Sequence, residues 1–303
     1  MRVLVTGGSG MLGQHIKERL SYTDHTGIFV SSSDYDLTSQ SQVRKMFKET
    51  TPNAVVHAAA RVGGIQDNID NPIAFLEDNT LINTNVVREA YKNGIKKLIG
   101  ISSTCVYPDT LPKEYYPLKE EYLHLGPPTP TNFGYGMSKR TMGTHIELYR
   151  KKHKLDFSTI FPCNLYSEYD NFHDEKKSHF MTALLKKIKN CVDSGSNKLQ
   201  LFGTGKPLRQ FIHANDLANI IVESLDKKLM SDFNVAGDDT YSIKEMAEIA
   251  LMTLNIDLQI NFDSTKPDGQ IRKDVSNEKL RELFPNFIFT TLEEGIKSVY
   301  AKM

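Results

Sequence analysis

Val3-Leu-Val-Thr-Gly-Gly-Ser-Gly-Met-Leu-Gly13 is the stretch of the 303-residue chain whose reading decides the fold. Val3-Leu-Val5 is a short, wholly apolar run of the kind found in strands buried on both faces of a parallel sheet. Met11, Leu12, Ile16 and Leu20 then recur at helical spacing, and Gly7, Gly10 and Gly13 stand between at G-x-x-G-x-x-G spacing. A strand, a glycine turn and a helix in that order bring backbone close to a pyrophosphate and aim a helix N-terminus at it. Glycine spacing alone would also suit a plain turn between packed elements. The strand-turn-helix context predicts a dinucleotide site at Gly7, Gly10, Met11, Leu12 and Gly13.

Working outward, strands are expected at Gly27–Val30, Asn53–His57, Lys97–Ile101 and Phe157–Phe161. Helices are expected from Asn79 to Ala90 and from about Tyr135 to Lys151. This alternation predicts an α/β, Rossmann-type doubly wound parallel sheet over residues 1–162, with segments near 210–230 returning to it. From Pro162 the rhythm breaks into a polar-aromatic loop. Helices at Phe180–Cys191 and Asn215–Leu225, a strand at Leu199–Phe202 and extended backbone at Phe211–His213 follow. A capping-box helix opens at Ser242, Asp263 to Arg272 is a polar loop, and a last helix runs from Thr291 to Lys302. Residues 163–303 are therefore expected to form, for the most part, a smaller C-terminal α/β substrate lobe. Within the sheet half, amides at Asn79, Asn83 and Asn85 are expected to brace neighbouring backbone.

The second strand ends in Ser31-Ser-Ser-Asp-Tyr-Asp36. A serine run at that tip donates to a ribose 2′-phosphate, whereas an acid would repel it, so NADP(H) is the expected cofactor, with Ser31 a contact. Asp36 reads as a contact to the adenine edge, or as a cap near Thr38. Ala58-Ala-Ala60 after the third strand is small enough for a cofactor to lie flat over the sheet, and Arg61-Val-Gly-Gly-Ile65 opens a loop beside the expected nicotinamide.

Ile101-Ser-Ser-Thr-Cys-Val-Tyr107 and Tyr135-Gly-Met-Ser-Lys139 carry the chemistry. Tyr135 and Lys139, at i and i+4, share a helix face. A phenol of pKa ~10 is a poor acid near neutrality. Lys139 is expected to lower it, so that Tyr135 gives a proton to a carbonyl oxygen that Ser103 also hydrogen-bonds. Cys105 adds a thiol that an ordinary reductase does not need.

Hydrophobic residues at 39%, charged residues at 24% and zero formal net charge are ordinary globular usage, with no basic field for nucleic acid. No apolar run reaches the ~18 residues of a membrane span. The chain enters a strand at once, leaving no room for a signal peptide, and Cys105, Cys163 and Cys191 form no disulfide framework. These features point to a reduced, cytoplasmic enzyme.

Together the motifs resemble the extended short-chain dehydrogenase/reductase family over essentially the whole chain, most closely its branch of GDP-4-keto-6-deoxy-mannose 3,5-epimerase/4-reductases. The stretches that carry the resemblance are Val62-Gly-Gly-Ile65, Ser103-Thr-Cys-Val-Tyr-Pro108, Asp170-Asn-Phe-His173, Ser178-His179, Gly203-Thr-Gly-x-Pro-x-Arg-Gln-Phe-Ile212 and Lys266-Pro-Asp-Gly-Gln270. The resemblance implies a GDP-4-keto-6-deoxy sugar, hexose or heptose, as substrate. It implies Cys105 as the base and His179 as the acid of epimerisation, with Ser103, Tyr135 and Lys139 serving reduction. Lys139 would also hold the nicotinamide ribose and help to lower the Cys105 pKa. Ala59, Pro162 and His179 are implied beside the cofactor. Asn164 is implied at the sugar or diphosphate, Arg209 and Lys187 at the diphosphate, and Asp268 at the guanine edge. It implies a homodimer, for which helices near 80–92 and 134–151 have apolar faces; it implies neither a metal nor a membrane.

Cys163, Ser167, Glu168 and Tyr169 depart from the family pattern at positions expected beside the sugar, which makes a heptose a credible substrate. Thr104 is followed by Cys105 and Val106 rather than an acid pair, against a dehydratase. A C4 reductase without epimerisation, an NAD-retaining nucleotide-sugar 4-epimerase and a non-catalytic NADP-binding regulator are the competing readings.

Overall fold

The computed structural model describes residues 1–170, 172, 179–266 and 268–303. The family motif residues Asn171, His173, Ser178 and Pro267 lie outside the described residues. The first half reads β1 (Arg2–Thr6), α1 (Met11–Leu20), β2 (Thr26–Val30), α2 (Gln40–Thr50), β3 (Ala54–His57), α3 (Ile65–Asp70), α4 (Pro72–Lys92), β4 (Lys97–Ile101), α5 (Phe133–His153) and β5 (Asp156–Pro162). The second half continues with β6 (Asn164–Tyr166), α6 (Phe180–Ser194), β7 (Lys198–Phe202), β8 (Leu208–Arg209), β9 (Phe211–His213), α7 (Ala214–Leu225), β10 (Phe233–Val235), β11 (Tyr241–Ser242), α8 (Ile243–Leu254), β12 (Gln259–Asp263), α9 (Glu278–Leu283) and α10 (Leu292–Tyr300).

Six parallel strands form the central sheet in the order β10-β5-β4-β3-β1-β2. Alternate residues feed two cores, one on each face. Val3, Val5, Ala54, Val56, Ile99 and Ile101 pack with α1 and α7, whereas Leu4, Val55 and Leu98 pack with α2, α4 and α5. Burial on both faces is why these strands are continuous apolar runs rather than alternating ones.

The sixth strand, β10, was not expected. Three residues carry no periodicity, and it gains its place by pairing Phe233 with Ile160 and Val235 with Pro162. The expected loop from Arg61 closes into α3, and α4 begins seven residues before the expected Asn79, with Pro72 in its first turn, where a missing N–H costs nothing. In the C-terminal lobe a third core gathers Leu184, Leu185, Leu199, Leu201, Met246 and Ile296. There β12, which lies beside the expected polar loop, runs parallel to β7. The Ser242–Glu245 capping box opens α8 as expected.

A buried polar chain ties the glycine loop to α5. Thr6 Oγ1 lies 2.7 Å from His57 Nδ1, His57 Nε2 lies 3.0 Å from Asn83 Oδ1, and Asn83 Nδ2 donates to the Ser138 carbonyl at 3.4 Å. Asn79 pins the Arg61 backbone from both sides, and Asn85 donates to the Leu37 and Thr38 carbonyls, as expected of bracing amides. Burial first, then the charge of Lys139, pushes His57 down to about 3. Protons therefore bind the unfolded chain in preference, and acid must destabilise the fold. Between about pH 6.5 and pH 4 this group should remove up to ~1.4 kcal/mol per pH unit. Urea midpoints of His57→Gln, less stable at neutral pH, should fall less steeply over that range than those of the wild type; parallel slopes would contradict the buried neutral imidazole.

Candidate active site

The cofactor end is built by close approach of backbone. Gly7 takes φ +75°, in the left-handed region, and a Cβ on Gly13 would lie 2.4 Å from the Gly7 carbonyl oxygen, so α1 can begin directly on the loop. The first turn of α1 has neither a side-chain cap nor an acid, which leaves its N–H groups turned toward an incoming anion. Leu12 points into the core and meets the loop only through its backbone, while Met11 is half-buried. The Ala59 N–H donates to Thr6 Oγ1, and the Ala59 backbone closes on Gly7 too tightly for a Cβ there. These features fit a dinucleotide pyrophosphate.

At the tip of β2, the Ser31 N–H and Oγ–H both donate to Asp34 Oδ2, at 2.8 and 2.7 Å. The serine donors therefore hold a carboxylate that the sequence reading had left aside. Asp36 accepts from the Thr38 N–H and hydroxyl, which is the capping alternative.

The reactive turn follows β4. Ser103 Oγ accepts the Cys105 N–H at 3.2 Å and caps the single turn Thr104–Val106. The first turn of α5 lies on it, because a Cβ at Gly136 would stand 2.7 Å from the Cys105 carbonyl oxygen. Lys139 Nζ donates to the Ile101 carbonyl at 2.7 Å, and Arg140 Nε to that of Val106 at 3.0 Å, so one helix grips both ends of the turn.

The electrostatics differ from expectation. Burial, followed by the charge of Cys105, raises the Tyr135 phenol above its usual value; Lys139 does not lower it. Burial also brings the Lys139 ammonium down to about 7, since it faces a carbonyl and no carboxylate. Tyr135 is thus a firmly protonated donor. Nor does Lys139 lower the Cys105 pKa. Burial alone would raise that thiol, but the charge of Lys273, hydrogen bonds from Ser103 and Lys273, and the charge of Arg209 outweigh it and leave it below the ordinary value. Lys273 Nζ lies 3.4 Å from Cys105 Sγ. Sequence reasoning missed Lys273 because it stands 168 positions beyond Cys105 in the chain and no local pattern marks it.

His179 stands at the N-terminus of α6, with Nδ1 3.0 Å from Asp170 Oδ1 and its N–H donating to Asp170 Oδ2. Burial would lower its pKa, but the hydrogen bond and charge of Asp170 prevail and raise it. Pro162 ends β5 opposite Val235. Arg209 donates to the Leu208 carbonyl and forms no ion pair among the described residues; burial lowers its pKa, against the opposing charges of Cys105 and Asp268. Gly269 passes 3.7 Å from its guanidinium, measured from an ideal Cβ.

Three expected contacts have structural partners. Asn164 Nδ2 donates to the Gln210 carbonyl at 2.8 Å. Asp268 accepts from the Thr204 N–H and hydroxyl, at 2.6 and 2.8 Å, and so holds the Gly203–Thr204 turn. Lys187 lies over the ring of Phe202 at 4.3 Å, with Lys266 at 6.0 Å. Phe202 itself is exposed, an aromatic ring with two cations near it that sequence reading had assigned to a strand alone. The departures also point elsewhere than expected. Ser167 Oγ lies 2.7 Å from His15 Nε2, Glu168 pairs with His213 at 3.0 Å, and Tyr169 hydrogen-bonds Glu18. These three side chains clamp the loop to α1 and β9. Cys163 is buried, with its thiol pushed up by burial to about 12.

A glycine-loop Rossmann sheet with serine, tyrosine and lysine gathered at its carboxyl end defines the NAD dependent epimerase/dehydratase family. Residues 3–236 match that family's model, and the chain belongs to it. It is 36% identical to the GDP-L-fucose synthase of Dictyostelium discoideum, over 97% of this chain and 92% of that protein. Its fold matches a GDP-L-fucose synthetase from Naegleria fowleri bound to NADP, with TM-score 0.88 and 30% identity over 99% of this chain and 93% of the other. It also matches a GDP-6-OMe-4-keto-L-xylo-heptose reductase from C. jejuni, with TM-score 0.88 and 25% identity over 99% and 96%.

Asp34→Asn removes a charge from the β2 tip and frees the Ser31 donors. It should shift dinucleotide selectivity toward the 2′-phosphorylated form by about tenfold, the ~1.4 kcal/mol of one partly screened charge contact. Calorimetric titration with both dinucleotides checks this, and an unchanged ratio would place Asp34 outside the ribose site.

Proposed function

We propose that this chain binds NADPH and a GDP-4-keto-6-deoxy sugar, epimerises C3 and C5, and reduces C4, a reading supported by its likeness to proteins named GDP-L-fucose synthase. The observation that carries the reading is Cys105, a thiol held below its ordinary pKa in the turn that also presents Ser103 and is covered by Tyr135. A reductase has no use for such a thiol. A ketone at C4 acidifies the hydrogens at both C3 and C5, so one base beside one carbonyl serves both carbons.

Residues 1–162, with the return near 210–230, hold the cofactor, and 163–303 for the most part hold the nucleotide sugar. The Gly7, Gly10, Met11, Leu12 and Gly13 backbone takes the pyrophosphate. Ser31 and Asp36 line the adenosine end, with Ala59, Lys139, Pro162 and His179 toward the nicotinamide. Cys105 as thiolate removes the proton from carbon. His179, whose pKa Asp170 raises, returns one on the opposite face. Ser103 Oγ accepts the Cys105 N–H, and its hydroxyl, which hydrogen-bonds the Cys105 sulfur, turns to the C4 oxygen when the sugar is bound. Tyr135 then gives its proton to that oxygen. NADPH supplies the hydride to C4.

On the sugar-nucleotide side, Arg209 has no ion-pair partner among the described residues, and it is the fork for the diphosphate. The exposed Phe202 ring, with Lys187 and Lys266 near it, suits a stacked base, and Asp268 shapes the adjoining turn. Asn164 braces the wall beside the sugar. A homodimer through α4 and α5 is supported by exposed Ile73, Leu81 and Leu148, and a cytoplasmic setting by three free cysteines.

The test is GDP-4-keto-6-deoxy-D-mannose in deuterated water, without and with NADPH. Deuterium should enter C3 and C5 before NADPH is added, and GDP-L-fucose should form after. Cys105→Ser should suppress exchange by at least about 100-fold, the weight of one positioned base. NADPH oxidation without exchange would leave a C4 reductase of the C. jejuni kind, and no turnover would refute this substrate.

A further inference from the structure

Lys273 is nine-tenths buried, yet among the described residues it pairs with no carboxylate. Its neighbours in sequence are different. Arg272 forks onto Asp274 at 2.6 and 2.9 Å and lies over the Tyr116 ring. The segment that carries Lys273 is fixed on two sides. The Leu208 N–H donates to the Ile271 carbonyl, the Leu118 N–H to that of Asp274, and the Ser276 N–H to that of Leu118. Gln210 closes the clamp, accepting the Val275 N–H and donating to the Val275 carbonyl. A buried cation left without an anion costs several kcal/mol. A fold that immobilises one at 3.4 Å from a thiol sulfur supplies the anion when that thiol ionises.

We propose that Lys273 is the positioning residue that holds Cys105 as a thiolate, an ammonium–thiolate pair delivered across the lobe boundary by the 271–276 segment. The proposal rests on the reading of Cys105 as the epimerisation base. The other groups facing Cys105 are Arg209 from β8, Ser103 from the same turn and Tyr135 from α5. Arg209 acts by charge alone, and Tyr135 is neutral, so among the described residues Lys273 is the cation bonded to the sulfur. Cys163, at the end of β5, also feels Lys273, but its burial keeps it a thiol.

Alkylation of Cys105 by iodoacetamide, followed against pH by peptide-resolved mass spectrometry on the full chain, reads the thiolate directly. The wild-type midpoint should lie below that of a free thiol, ~8.5. Lys273→Met should raise it by at least about one pH unit, a tenfold loss of thiolate near neutrality. Lys273→Arg should keep most of the depression. A Lys273→Met profile that superimposes on the wild type overturns the proposal. If that variant no longer binds dinucleotide, Lys273→Gln replaces it, and a wild-type midpoint at the free-thiol value overturns the proposal by itself. C3 and C5 deuterium exchange should fall with the thiolate, at least about tenfold in Lys273→Met at neutral pH. Retained exchange in Cys105→Ser, with the alkylation shift intact, would refute the base and leave the ion pair standing.

Discussion

The placing of buried cations governs this molecule. In the framework they are answered by carboxylates: Lys97 meets Asp156 at 2.7 Å, and Arg150 meets Asp232 at 2.6 Å. Around the reactive turn they are not. Among the described residues Lys139 faces the Ile101 carbonyl, the half-buried Arg209 the Leu208 carbonyl, and Lys273 a thiol. Burying charge without a counter-charge is costly, and the cost is recovered only when an anion arrives or forms. A diphosphate, a thiolate and an enolate are the anions the proposed chemistry brings. The framework is therefore electrically closed and the site electrically open, which is how one sheet is both stable and receptive.

Glycine sets how near these groups stand. At Gly136 the first turn of α5 touches the Cys105 carbonyl, and at Gly13 α1 touches the Gly7 carbonyl. Both contacts lie at the carboxyl ends of parallel strands, β1 and β4 on either side of β3, where a doubly wound sheet opens its crevice. The Thr6–His57–Asn83–Ser138 chain runs between them through the core, linking the cofactor loop to the helix that carries Tyr135. Because every member of that chain is buried, a loss at one leaves its neighbours unsatisfied. The glycine loop and α5 are thus parts of one rigid floor.

What was legible in the sequence is what local physics determines. The strand-glycine-helix start, the Tyr135–Lys139 pair on one face and the Ser242 capping box each depend on a few consecutive residues, and each stands in the structure. Three things were not legible. The strand Phe233–Val235 is too short to carry a period and forms because β5 offers an open edge. Lys273 reaches Cys105 only through the clamps on residues 271–276, each made with residues distant in the chain. The direction of the Lys139 effect was misjudged because spacing reveals adjacency but not burial, and burial decides the charge state of both Tyr135 and Lys139.

The departures at Ser167, Glu168 and Tyr169 bear on the choice of sugar. Read as residues beside the substrate, they argue for a larger one. In the fold their side chains turn to His15, His213 and Glu18, and Glu168 is drawn down to about 2 by the His213 hydrogen bond, against the effect of its burial. They form a polar clamp between α1 and the start of the C-terminal lobe, so their altered identities answer one another and need no altered sugar. The argument for a heptose then rests on similarity to solved heptose enzymes such as the C. jejuni reductase. That similarity, at 25% identity, is weaker than the 36% shared with a fucose synthase, so the 6-deoxyhexose remains the better-supported substrate.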